Sequence, residues 1–484
     1  MAGEFVTLSD YQGHFDALGG DAAFGSGAFA RTDVVSQLNK ALDMRKALAT
    51  NAGAGNDGSV LIPQSLETTL QVISYQMKHL KLWNMLAKRP AYAIHEEFDA
   101  LDRYGDDLIG FMNEGALPPE DNSKYSRHVG QVKFLGTTRS VTHPMTLVRT
   151  IAGVDPIVDR EDRNGTMQIL RTLETALFFG DDDVNDLSIK GLYATIRDHA
   201  PSNVIDMRGK PITDKTLEDL DQASNDRYGV LDMLFCSNRQ KNNLSQLLFP
   251  NKRLMLPVSG NQTSLGMTVN EFVGNNSTYK IESHQFIRDG GPVPTQFALN
   301  APAAPANFTA VPRAAVAGDK AQLAADTYDY VVTAFGNTGE GMGAQVLSVA
   351  VAANSVVELS WDQVPGAVFY RVYRKDYSTM TQPLYMAQVK RGAGAQATFT
   401  DTGKWLPGCS MAFGLMLGGD EGMAWKQLAP LMKLPLATVD TKIRWAILLY
   451  GLLQVYQPLK QFVLINVGNA GINHDVDIPV PEFR

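Results

Sequence analysis

The run FFGDDDVNDL carries the most ligand-like spacing in the sequence. Asp181, Asp183 and Asn185 match the first, third and fifth positions of a calcium loop, where hard oxygen ligands gather round the ion. The match then stops. The sixth position needs Gly and holds Asp186; the twelfth needs a bidentate Glu and holds Leu192. A solvated turn after a helix accounts for the same residues. The glycines of GEGMGA (339–344) alternate rather than following the dinucleotide pattern, and the run falls in an expected loop between strands. No HExxH, phosphate-binding loop or nucleophile elbow occurs. His128 and His143 sit in or beside a polar stretch and read as surface residues. Cys236 ends an apolar run and reads as a small buried hydrophobe. These residues point away from catalysis: no enzyme activity, metal or cofactor is expected.

The composition bounds the answer further. With 484 residues the chain has room for two or three domains and a sizeable core. A formal net charge of -8 argues against general nucleic-acid binding, which needs a basic face to neutralise phosphates. Cys236 and Cys409 lie too far apart in sequence for a disulfide framework, so a reducing compartment is expected. The stretch MAGEFVTLSDYQGHFD lacks the basic patch and apolar run of a secretory signal. WAILLYGLL (445–453) falls well short of the roughly 20 residues a membrane helix needs, and reads as a buried strand.

Four stretches differ in character. Residues 1–60 form an arm rich in Gly and Ala, with one amphipathic island at 32–48 whose Val34, Leu38, Leu42 and Leu48 share a helical face. Residues 61–301 read as a mixed α/β body. Within it, 67–86 suggests a helix or helix pair and 155–180 a long helix. Asp155 can cap that helix and Pro156 can open it; Met167, Leu170, Leu173, Ala176 and Leu177 line one side, and Gly180 is placed to end it. Gly165 interrupts the pattern. A helix, an apolar strand ending at Cys236 and a helix capped by Ser237 follow, as part of a sub-domain at 190–300. Residues 302–403 switch to period two. Tyr330 and Val332, Leu359 and Trp361, Tyr370 and Val372, and Phe399 then form the core of a β-sandwich. Residues 404–484 regain the earlier character, so the sandwich is expected to interrupt a host domain.

One stretch has no place in a core. Residues 111–143, within NEGALPPEDNSKYSRHVGQVKFLGTTRSV and its flanks, read as a polar β-hairpin. It carries Glu114, Gly115, Glu120, Asp121, Lys124, Tyr125, Arg127, Lys133 and Arg139, with few large apolar groups. An isolated hairpin is marginal in water, so this one needs another copy to lie on.

The order of these features resembles the major capsid proteins of tailed bacteriophages, with the Hong Kong 97-like fold. The motifs that carry the resemblance are F-x-x-E-G-A before the polar hairpin, V-T-H-P-M leading to the long helix, A-L-F-F-G-D at its end, and G-L at 191–192. The module VELSWDQVPGAVFYRVYRKD…TFTDTG resembles an immunoglobulin-like or fibronectin type III domain. The resemblance implies an α+β fold with an N-terminal arm, an extended loop at 100–145 that lies over a neighbouring subunit, a spine helix at 155–180 and an axial domain at 190–300. It implies that the chain assembles with itself into hexamers and pentamers of an icosahedral head, within a virion built in the host cytoplasm. Implied partners are portal, scaffold and decoration proteins, and packaged double-stranded DNA held without specific binding. Some such proteins join subunits by a Lys–Asn bond, for which Lys124 or Lys133 could supply the amine. The rival expectations are an encapsulin-type compartment and a glycan-binding protein that uses the sandwich.

Overall fold

The computed structural model describes residues 76–105, 111–117, 120–148, 156–248, 254–255, 264–265, 269–316, 318–418, 422–437 and 440–469. The arm with its 32–48 island, residues 67–75 and Asp155 lie outside the described residues.

The chain opens with a short helix α1 (Lys81–Met85) and strands β1 (Ala87–Pro90) and β2 (His95–Arg103). Strands β3 (Lys124–Gln131) and β4 (Lys133–Thr142) are separated only by Val132, and α2 (His143–Leu147) follows. Next come the long helix α3 (Ile157–Phe179), α4 (Leu192–His199), β5 (Val204–Asp206), α5 (Asp214–Asn225), β6 (Met233–Cys236) and α6 (Asn238–Leu248). Four short strands follow: β7 (Leu254–Met255), β8 (Ser264–Leu265), β9 (Glu271–Val273) and β10 (Thr278–Ser283). Seven more fill the period-two stretch: β11 (Thr309–Ala314), β12 (Asp326–Gly336), β13 (Gly339–Val351), β14 (Ser355–Asp362), β15 (Ala367–Asp376), β16 (Leu384–Lys390) and β17 (Gln396–Asp401). The chain closes with β18 (Ser410–Leu415), β19 (Met423–Pro435), β20 (Lys442–Val455) and β21 (Phe462–Val467).

Two sheets build the body, and both draw on chain from before and after the period-two stretch. One has the order β5-β21-β18-β6-β10-β9. Its middle is apolar on both faces, as a sheet covered on both sides must be. Met233, Phe235, Phe413 and Val463 face a core shared with α3, while Leu234, Cys236, Ala412 and Leu464 face a second core shared with α5 and α6. Burial pushes the Cys236 thiol up to about 12, which keeps it protonated and inert. The other sheet has the order β1-β19-β20-β4. Trp425, Trp445, Ile447 and Leu449 turn inward to meet α3.

Helix α3 runs unbroken through Gly165. The reason is packing: a Cβ at Gly165 would meet Ile447 of β20 and Arg139 of β4. Leu170, Leu173 and Leu177 are buried as the spacing implies, and Met167 and Ala176 are partly so. Gly180 ends the helix without the left-handed turn that a C-terminal glycine suggests; its φ is -58°. Its need for Gly is a close approach, since a Cβ there would run into the carbonyl oxygens of Ile189 and Ala176. Gly191 closes the same crossing, donating its N–H to Gly180 O at 2.9 Å. Gly191→Ala would push a methyl into Ala176 O and the Gly180 backbone. We expect a loss of about 2 kcal/mol in urea unfolding; a change within a few tenths of that of a surface substitution would refute the close-packing account.

The period-two stretch forms two antiparallel sheets, β11-β14-β17 and β13-β12-β15-β16, which share one core. Tyr330, Val332, Leu359, Trp361, Tyr370 and Val372 are fully buried in it, and Phe399 is partly buried against it. The alternation on adjacent strands puts these side chains on facing surfaces. GEGMGA lies at the start of β13 and is not a loop. There Glu340 accepts from Thr333 Oγ1 (2.5 Å), Tyr373 Oη (2.6 Å) and Arg371 Nη1 (2.8 Å). Trp405 packs against both this core and the body's.

Candidate assembly surfaces

The strands within 111–143 do not form the expected hairpin with each other. β3 pairs with β2, whose sequence HEEFDALDR precedes the turn signals, in a two-stranded antiparallel ribbon from His95 opposite Gln131 to Arg103 opposite Lys124. β4 leaves the ribbon at the buried Val132 and pairs with β20 along its whole length, Lys133 opposite Gly451 and Thr142 opposite Lys442. The reason is chemical. β4 alternates, so Leu135, Arg139 and Val141 can turn toward α3, whereas β3 has no such face.

This sorts the candidate residues into two groups. Lys133 and Arg139 belong to the body. Lys133 Nζ donates to Asp186 O at 2.6 Å, and Arg139 reaches Gln168 at 2.6 Å and Glu161 at 3.4 Å. The others lie on the ribbon or its tip. Glu114 and Gly115 occupy the centre of a turn closed by Ala116 N–H donating to Asn113 O at 3.0 Å; Gly115 has φ +84°, which suits a type II turn. Glu120 and Asp121 lead back to Lys124 and Tyr125, and Ser123 Oγ ties the return to Tyr104 O at 3.1 Å. Along the ribbon Arg127 pairs with Asp99 (2.8 Å) and Glu97 (3.4 Å). The guanidinium holds the Asp99 carboxyl below its usual range and is itself held up in return. These pairs are solvated and set register more than stability.

The apolar groups of the tip have nothing to cover them among the described residues. Phe111 is 93% exposed, Tyr104 89%, Leu117 88% and Tyr125 71%. The tip's charge is one-sided: from Tyr104 to Ser123 the sequence holds Asp106, Asp107, Glu114, Glu120 and Asp121, and no Lys or Arg.

A second bare surface lies at the far end of the β4–β20 ladder. There Leu147 (74% exposed) and Met145 of α2, and Val148 after it, are uncovered, beside Leu434 of β19, Leu436 after it and Ile443 of β20. A groove of about 320 Å³ runs between His143, Pro144, Asp440, Thr441, Lys442 and Ile443. Lys433, Lys442 and Arg444 lie at this end, with Lys433 paired to Asp162 and Arg444 to Asp440, so its charges are mixed rather than one-sided.

The acidic run resolves into an ion-pair cluster. Arg197 Nη1 lies 2.5 Å from Asp181 and its Nη2 2.5 Å from Asp183, while its Nε reaches Asp198 at 2.8 Å. The carboxylates of Asp181, Asp182 and Asp183 stand close together, with the guanidinium where a cation would balance them.

Residues 132–327 match the family described as SU10 major capsid protein. The match starts at Val132, where the ribbon gives way to the body. The major capsid protein of Staphylococcus phage K is 24% identical over 444 residues, covering 85% of this chain and 91% of that protein; the one from Staphylococcus phage S25-3 gives the same figures. This chain is similar to phage major capsid proteins over most of its length. Among solved structures, Gordonia phage Cozz aligns with a TM-score of 0.44 at 10% identity over 86% of this chain and 96% of that one. The SrpI encapsulin of Synechococcus elongatus PCC 7942 aligns with a TM-score of 0.43 at 9% identity over 87% and 98%.

Sequence reasoning missed Glu174. It looked like one more charge on a long helix, yet it is fully buried. Its carboxylate accepts from Leu82 N–H (2.8 Å), Trp83 N–H (2.9 Å) and His284 Nε2 (2.8 Å), which binds α1, α3 and the end of β10 together. The only sequence signal is its place on the face that carries Leu170 and Leu177.

Proposed function

We propose that this chain is the major capsid protein of a tailed bacteriophage, with the Hong Kong 97-like fold, and that its copies close into hexamers and pentamers of an icosahedral shell around double-stranded DNA. The observation that carries this reading is a pair of unlike bare surfaces on one chain. An acidic, apolar tip ends the ribbon, and an apolar patch of mixed charge ends the sheet. They flank the run β3–β4, about 60 Å of extended strand, so they do not serve each other within one molecule. Each is satisfied by another copy. Head-to-tail contacts of this kind generate rings when the rotation closes. The similarity to phage major capsid proteins over most of the chain supports the same reading.

The two-sheet stretch is read as an inserted immunoglobulin-like domain facing outward. Its four-stranded side is tied to the body through Lys390 and Asp186 at 3.0 Å. Its three-stranded side presents Thr309, Glu358, Thr398 and Thr400 to solvent. Portal, scaffold and decoration proteins are the further partners of such a shell, and the negative net charge suits a wall that holds DNA without gripping it.

Electron microscopy of the expressed chain, with light scattering alongside, tests the reading. Shells, tubes or capsomer rings are the expected result, and their nucleic-acid content separates a virus head from an encapsulin-type compartment. The triple variant Glu114→Lys, Glu120→Lys, Asp121→Lys should cut assembly at least roughly tenfold while leaving the circular dichroism of the soluble chain unchanged. Undiminished assembly of that variant would show that the tip does not find its partner by charge.

A further inference from the structure

The two-sheet stretch meets the body at both of its ends, and one strand receives both. Strand β16 lies at the edge of the four-stranded sheet. Its Tyr385 donates its N–H to Gly291 O at 2.9 Å, and the Tyr385 carbonyl oxygen accepts from Gly408 N–H at 3.3 Å. Gly291 belongs to the segment that enters the stretch, Gly408 to the segment that leaves it. Pro292 pairs with Leu384 beside them as an isolated antiparallel bridge. Gly290 N–H donates to Cys409 O at 3.1 Å, which ties entry to exit directly. An edge strand ordinarily leaves such groups to water; here the body takes them up.

The entering segment then reaches the opposite edge of the same sheet, at β13. Ala298 N–H donates to Glu340 O at 3.4 Å, and Thr338 Oγ1 donates to Asn300 O at 2.8 Å. This is the place of GEGMGA, whose alternating glycines match no phosphate loop. Their spacing has a steric reason. A Cβ at Gly339 would meet the Ala298 side chain, and a Cβ at Gly341 would run into Pro302 O. Bare backbone at these positions lets the segment lie directly on the strand. Glu340, between them, accepts from Thr333, Tyr373 and Arg371, which fixes this part of β13 to β12 and β15. The exit is stitched as well. Asn466 of β21 accepts from Leu406 N–H at 3.1 Å and donates to Lys404 O at 2.7 Å.

We propose that residues 290–302 act as a strap that locks the two-sheet stretch to the body in one orientation, so that the two move as a single unit rather than as a module on a free linker. The run APAAPA at 301–306 has the composition of a spacer. Its Pro302 is nevertheless packed so closely on β12 and β13 that a Cβ at Gly336 or Gly341 would collide with it. This inference concerns the single chain and stands whether or not shells form.

Hydrogen–deuterium exchange resolved to single amides, on the full-length unassembled chain, tests it. The Tyr385 N–H is the reporter, because its acceptor, Gly291 O, lies outside the sheet. In a swinging stretch it would be an open edge amide. In the locked one it should stay protected to within about tenfold of the Val372 amide in β15. Gly341→Val puts a side chain where Pro302 lies, and should speed exchange at Ala298 and Tyr385 about tenfold while leaving Val332 and Val372 unchanged. A wild-type Tyr385 amide that exchanges faster than that tenfold limit would overturn the proposal. So would a folded Gly341→Val chain in which Ala298 and Tyr385 exchange as in the wild type. Should that variant fail to fold, the wild-type comparison alone decides between a locked and a swinging stretch.

Discussion

Glu174→Ala should lower the unfolding free energy by about 3–5 kcal/mol, a third or more of what a domain of this kind usually has. The substitution strips the acceptor from three donors at once: the N–H groups of Leu82 and Trp83 and the Nε2–H of His284. His284 cannot turn away to compensate, because its Nδ1 accepts from Phe286 N–H at 3.2 Å, and Phe178, Phe235 and Phe286 surround it. Each donor left buried without a partner costs about 1–3 kcal/mol. Trp83 sits edge-on to Trp425 at 5.5 Å, so tryptophan fluorescence during guanidinium unfolding reports on the right place. Glu174→Gln retains an acceptor oxygen and should lose distinctly less. Equal losses for Ala and Gln would show that charge, rather than hydrogen-bond count, holds this junction.

The second large effect belongs to the two-sheet stretch. Asp401 accepts from Arg374 Nη1 (2.8 Å), Tyr330 Oη (2.9 Å) and Gly403 N–H (2.9 Å). Both Arg374 and Asp401 are buried. Burial works against the Arg374 charge, but Asp401 and Asp376 outweigh it and hold the guanidinium protonated. Asp401→Ala removes one of the two carboxylates that pair with Arg374, leaving Asp376, and should cost about 3–5 kcal/mol, read from the unfolding of Trp361 in the same core. Burial first, then Asp401, raises the Tyr330 phenol well above its usual value. That contribution is complete below pH about 10 and is lost as pH rises toward the folded-state value. Wild-type fluorescence should thus show an alkaline transition, and its absence up to the point of general unfolding would contradict the buried-phenol account.

These two networks mark the limit of what the sequence discloses. The sandwich core is legible because neighbouring strands alternate: Tyr330 with Val332, Leu359 with Trp361 and Tyr370 with Val372 follow from period two alone. Helix α3 is legible from its leucine face. The partner of β3 is not. Pro, Gly and Asn between 113 and 122 announce a turn, but a local pattern cannot tell whether the opposing strand begins at 95 or at 111, nor that β4 pairs with a strand some three hundred residues later. The rings that meet at the ribbon's root, Phe98, His128, His199 and Tyr456, come from four segments that share no spacing. Glu174 and Asp401 are charged letters whose burial only the finished packing reveals.

The near-continuous run of β3 into β4 has a mechanical consequence. Tension applied at the ribbon enters β4 along the strand axis. The bonds from β4 to β20 lie across that axis, from Lys133 opposite Gly451 to Thr142 opposite Lys442. They are therefore loaded together in shear rather than peeled one after another. A pull on the ribbon must break the ladder as a block, so the ribbon is anchored by the same strand that carries its reach.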